Sequence, residues 1–156
     1  MINLLDRLKF AETAAAKVKT VKYSVLDCQA FVEYCAKAAG YTFNARGSND
    51  IYRNYTSAAG KTSSYSLAIG DVVFKWRKES DKLPSRYHGD GVGDMYHIGI
   101  LTNVKPYVVC HSANSRDNGK IDTFDSQADL ADVWVYCGTL KNSSTISSSL
   151  LETKGE

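Results

Sequence analysis

Residues 96–112 read YHIGILTNVKPYVVCHS, two runs of β-branched and aromatic residues separated by a short polar connection. Runs of this composition form strands, and a link this short joins antiparallel neighbours. His97 heads the first strand and His111 closes the second, so the two imidazoles can face each other across the pair. Gly99 follows His97 on the same face and leaves space beside the ring for a substrate or another backbone. The third histidine, His88, sits in a glycine-bearing loop and reads as a surface residue.

The same strand chemistry recurs on either side, in GDVVFKW from Gly70 and in DVWVYCGTL from Asp132. Between the first two strands, residues 77–95 form a polar excursion too long for a tight hairpin, and a loop of that kind is expected to border a functional cleft. Upstream the period changes. Leu4, Leu8, Ala11, Ala15 and Val18 are spaced for one buried helical stripe, with Asn3 as its N-cap. A second helix runs from Asp27 to Gly40, with Phe31, Val32, Cys35 and Ala39 on one face and Gly40 suited to the C-terminal cap. Residues 41–68 predict irregular structure or a short helix near Asp50–Tyr55. Helices first and strands later make an α+β domain, with N-terminal helices packed on a mainly antiparallel sheet. Residues 1–141 are expected to form that one domain, and the serine-rich residues 142–156 a polar tail or linker.

Composition narrows the function by exclusion. A net charge of +2 on 156 residues lacks the basic stripe of a nucleic-acid binder. Lys17, Lys19 and Lys22 form the one notable basic cluster and read as a solvated helix end. No apolar run approaches the roughly 18 residues of a membrane span, and the charges in MINLLDRLKFAE interrupt the apolar stretch a signal peptide needs. No membrane partner and no export by that route are therefore expected. The four cysteines read as free thiols, because a 17.2 kDa chain does not depend on disulfides. With no C-x-x-C pair and three scattered histidines, no metal site and no cofactor are expected.

Cys28 stands apart from the other cysteines. It follows Asp27 at the point where the second helix begins, and unpaired N–H groups there favour a thiolate. Cys35, Cys110 and Cys137 fall on apolar faces or inside strands and read as core. A thiolate nucleophile needs an imidazole to take and return its proton and a third group to orient that imidazole. His97 and His111 are the candidates.

Four segments in order, DCQAFVEYCAKAAGY, IGDVVF, HIGIL and VVCHS, resemble the NlpC/P60 cysteine peptidases over roughly residues 23–140. The resemblance implies a papain-like fold with Cys28 as nucleophile, His97 as general base and His111 as the residue orienting that base. It also implies hydrolysis of peptide bonds in bacterial peptidoglycan stem peptides, without a cofactor. Tyr23, Asp27 and Gln29 are the implied substrate-side residues. Gln29 stands where the family commonly has serine, and Tyr23 lies closer to the cysteine than the family's tyrosine. The long insertion before His97 and the run DGVGDMYHIGI are similar to cell-wall hydrolases of phages and prophages. Action at the cell wall without a signal peptide is then expected through phage release or as part of a longer secreted protein. Two rivals remain. A CHAP-type amidase shares the Cys-then-His order and would take Asn114 as third residue, and a non-catalytic wall-binding or phage-tail module would keep the fold alone. The oligomeric state is left open.

Overall fold

The computed structural model describes residues 5–141 apart from 19, 21, 25 and 114–118. The chain is α+β. Helices α1 (Arg7–Lys17), α2 (Cys28–Ala38) and α3 (Ser48–Asn54) precede most of the sheet, and α4 (Gln127–Val133) lies between its last two strands. The strands are β1 (Thr56–Lys61), β2 (Val72–Arg77), β3 (Asp94–Val104), β4 (Tyr107–His111), β5 (Lys120–Phe124) and β6 (Tyr136–Leu140). They form one six-stranded sheet in the order β1-β6-β2-β3-β4-β5, with every pairing antiparallel. The tail reading for residues 142–156 lies outside the described residues.

Alternation along the strands sorts the core into two layers. Val72, Phe74, Ile98, Ile100 and Cys110 face α1 and α2, where they pack with Phe10, Phe31, Val32 and Cys35. Val73, Leu101 and Val109 face the other way and pack with Leu130 of α4 and with Trp134. His97 and Gly99 share the parity of Leu101, and His111 that of Val109, so the histidines rise from the α4 side of the sheet.

Helix α1 differs from the sequence expectation in start and rotation. Asp6 caps it by accepting from the backbone N–H of Lys9, and Asn3 and Leu4 lie outside the described residues. The buried stripe is Phe10, Ala11, Ala14 and Val18, while Leu8 is 63% exposed. Phe10 has the larger apolar surface to remove from water, and with Ala14 and Val18 it keeps helical spacing, so its side decides the rotation. Helix α2 buries Phe31, Val32, Cys35 and Ala39 as expected, and Gly40 follows its C-cap at φ 89°, where a Cβ would be strained.

Three elements depart from the expected strand run. Residues 132–133 end α4 instead of opening a strand, because Ser126 caps a helix whose Leu130 fills the second layer. Strands β1 and β5 were not foreseen. The loop from Arg77 to Met95 is also not a rim of the histidine cavity. Leu83 and Tyr87 are buried within it, Arg53 of α3 bonds Asp90 at 2.7 Å and the Gly93 carbonyl at 2.8 Å, and His88 Nε2 lies 2.7 Å from the Leu83 carbonyl. Those ties make it a packed structural element docked on α3, and they place His88 in a structural contact.

Candidate functional site

Strands β3 and β4 place the two histidines in direct contact. His97 Nε2 lies 2.8 Å from His111 Nδ1, with the ring planes at 81°. Trp134 holds both rings from the side of α4, stacked on His97 at 5.5 Å and edge-on to His111 at 5.0 Å. The space beside Gly99 is filled by this arrangement and not by open cleft. A Cβ built there would lie 2.5 Å from Val109 Cγ1, 3.0 Å from Trp134 and 3.2 Å from His111 Cβ. Glycine at 99 is what allows Trp134 and His111 to close on the sheet.

A β-bulge fixes how His97 is presented. Lys75 pairs with His97 and Trp76 pairs with Met95, which leaves Tyr96 as the extra residue on β3. Bulges re-aim the side chains beside them. Here Tyr96 and His97, adjacent in sequence, both line a cavity of about 270 Å³ together with Tyr23, Lys75, His111 and Ala113. Lys75 is held over the Trp134 ring at 5.1 Å and Arg77 over Tyr96 at 4.6 Å. A larger hollow of about 420 Å³ lies on the outer side of α1, lined by Lys9, Glu12, Lys17 and Tyr34, and carries none of these groups.

Cys28 opens α2, as the sequence indicates, and Asp27 caps the helix by accepting from the Ala30 N–H at 2.8 Å. The thiol meets β3 at the peptide joining His97 to Ile98, whose N–H acts on the sulfur along with the N–H groups of Gln29 and Cys28 itself. Nearby, Ser112 just beyond β4 donates to the Leu26 carbonyl at 2.5 Å and ties the helix start to the strand end. Gln29 thus contributes through its backbone. Tyr23 borders both parts of the site, since it lines the histidine cavity and its phenol is raised first by burial and then by Cys28 and Asp27.

The electrostatics overturn one expectation. Cys28 is 7% exposed, and burial pushes its thiol up to about 11, with the Asp27 charge adding to the rise and the three backbone N–H groups opposing it. Removal from water outweighs the helix start. His97 is depressed to about 3, first by burial and then by the His111 and Lys75 charges, with Asp122 opposing. At rest both groups are therefore uncharged, the thiol packed in the α1–α2 layer against the β3 peptide and the imidazole at the cavity on the α4 side. Cys35, Cys110 and Cys137 are buried as well, all four cysteines are free, and burial raises each of these three thiols. Iodoacetamide is thus expected to label Cys28 first but slowly at pH 7, with a rate that climbs about tenfold per pH unit up to pH 10, following the thiolate fraction. A labelling rate already saturated at pH 7 would show that the thiol is ionised at rest.

One residue of the cluster was not singled out from the sequence. Asp122 of β5 places Oδ2 2.8 Å from His111 Nε2. The signal was weak, because KIDTF is a short edge strand and only its pairing with β4 brings the carboxylate under His111. Among the described residues, no group of three or more His, Cys, Asp or Glu could hold a metal ion, and no helix is long and apolar enough to cross a membrane. Asn114 lies outside the described residues. No family model matches the chain, and no curated protein matches it either.

Proposed function

We propose that the protein is a cysteine peptidase or amidase of the NlpC/P60 kind, with the papain-like arrangement of helix and sheet, acting on peptide bonds of bacterial peptidoglycan. The observation that carries the reading is a cysteine at the first position of a helix, set against the strand that presents a histidine pair at a cavity. Cys28 supplies the sulfur that attacks the carbonyl carbon. His97 takes the thiol proton as the C–S bond forms and returns it to the amine as the C–N bond breaks, leaving an acyl-enzyme that water hydrolyses with the same imidazole as base. The carbonyl oxygen gains negative charge in the first step, and the Cys28 N–H at the helix start is the natural donor to it. Access to the wall follows from phage release or from a longer secreted protein.

A second reading, a wall-binding or phage-tail module without catalysis, draws support from the burial of Cys28 and its raised thiol. One experiment separates the two. Purified peptidoglycan fragments digested with the protein should show new amino groups and new carboxyl ends by mass spectrometry, no new reducing sugar ends, and no inhibition by EDTA. Retention of the fragments without any new ends would favour the binding module. New reducing ends would place the protein among glycosidases.

A further inference from the structure

We propose that Asp122 is a positioning residue of the histidine pair, selecting the tautomer of His111 and through it the nitrogen of His97 that is left free to accept a proton. His111 touches a histidine nitrogen through Nδ1 and a carboxylate oxygen through Nε2, each at 2.8 Å. In the uncharged form of His111 the ring carries one proton, and a carboxylate can only accept. In that form the proton belongs on His111 Nε2, facing Asp122, and Nδ1 is bare. A bare Nδ1 can only accept, so His97 donates from Nε2, and His97 Nδ1 holds the lone pair. The opposite tautomer would set the His111 Nε2 lone pair against the carboxylate and put the proton of His97 on Nδ1, where a general base must have none.

Two buried donors converge on the same carboxylate. His111 Nε2 and the Trp134 indole N–H are both sealed from solvent and neither has a well-aligned hydrogen-bond partner, the contact from His111 to Asp122 being short but out of line with the ring N–H. Asp122 is held below the usual carboxylate range, first by His111, with Lys75 and the Trp134 N–H also contributing, while burial opposes. Its side chain is 31% exposed on β5, so the carboxylate keeps some hydration while serving two donors that have none. One residue thereby faces His111 directly at 2.8 Å and interacts with Trp134, the ring stacked on His97.

The part concerning the base rests on the peptidase reading, whereas the tautomers do not, and the test uses both. Two-bond proton–nitrogen NMR spectra of the full chain at pH 7 should show His97 and His111 each protonated at Nε2. In Asp122→Ala the His111 signals should shift to a mixture of tautomers. Asp122→Asn, whose amide oxygen can still accept, should restore the wild-type pattern. On a peptidoglycan peptide, kcat should fall about tenfold in Asp122→Ala with KM little changed, the order of effect seen when a hydrogen-bond partner that orients a histidine is removed from a metal site, and recover in Asp122→Asn. Protonation of His111 at Nδ1 in the wild type, or identical tautomers in wild type and Asp122→Ala with both folded, would overturn the proposal. Tautomers that respond as stated in a protein that cleaves no such peptide would uphold the positioning role and overturn the peptidase reading instead.

Discussion

Under the proposed peptidase mechanism, His97→Ala is expected to lower kcat/KM on a peptidoglycan peptide by about 100-fold or more, because it would remove the group that both deprotonates the thiol and protonates the leaving amine. The resting electrostatics make that dependence steep. With the Cys28 thiol raised to about 11, almost no thiolate is present at neutral pH, so in that mechanism a base would have to generate the nucleophile during the reaction. His111 stands differently. It holds Nε2 of His97 through Nδ1 at 2.8 Å, a contact that an asparagine oxygen can also accept. His111→Asn should keep much of the activity, and His111→Ala should fall between it and His97→Ala. The three variants are to be compared on one peptide after each is shown to be folded. An active His97→Ala beside a dead His111→Ala would reverse the two roles, and harmless substitutions at both would remove the pair from the catalytic machinery.

Acid should destabilise the fold through the same imidazole. His97 titrates near 6.5 when unfolded and at about 3 in the folded protein, mainly because burial disfavours its cation. Between those values the unfolded chain binds the additional proton, so stability rises with pH across that window. The contribution is fully present above pH 6.5 and is lost as the pH falls towards 3. Each pH unit in the window is worth up to about 1.4 kcal/mol, so the wild type should lose about 3 kcal/mol more than His97→Gln on going from pH 7 to pH 4. Urea denaturation of the two proteins at both pH values measures the difference. Equal losses would mean that His97 is charged or well hydrated in the folded state.

Much of the framework was legible in local pattern. The β-branched runs of β2, β3 and β4 are long enough to declare themselves, and the short link after Val104 sets β4 beside β3 with its histidine towards His97. What escaped was set by partners distant in sequence. Strand β1, TSAAGK, has neither bulk nor alternation and exists because β6 pairs with it. In DVWVYCGTL the β-branched residues suggest a strand from Asp132, but the Ser126 cap and burial of Leu130 carry a helix through Val133. Asp122 has an ordinary surface sequence context, and only sheet order gives it a meaning. Cys28 shows the opposite failure, since its position was read correctly from the helix start while its ionisation follows from the burial around it.

The place of β6 in the sheet sets an order on the birth of the molecule. A ribosome releases α1, α2 and the meander from β2 to β5 while β1 still has no partner, because β6 lies between β1 and β2 and is made last among the described strands. The segment that brings β6 also brings Trp134, whose carbonyl accepts from Thr62 Oγ1 at 2.5 Å and whose ring covers both histidines. A nascent chain short of residue 134 therefore carries Cys28, His97 and His111 without the roof that holds the two rings. Docking of β6 and enclosure of the histidine pair are thus one event, so the two rings stay uncovered until the last of the described strands has paired.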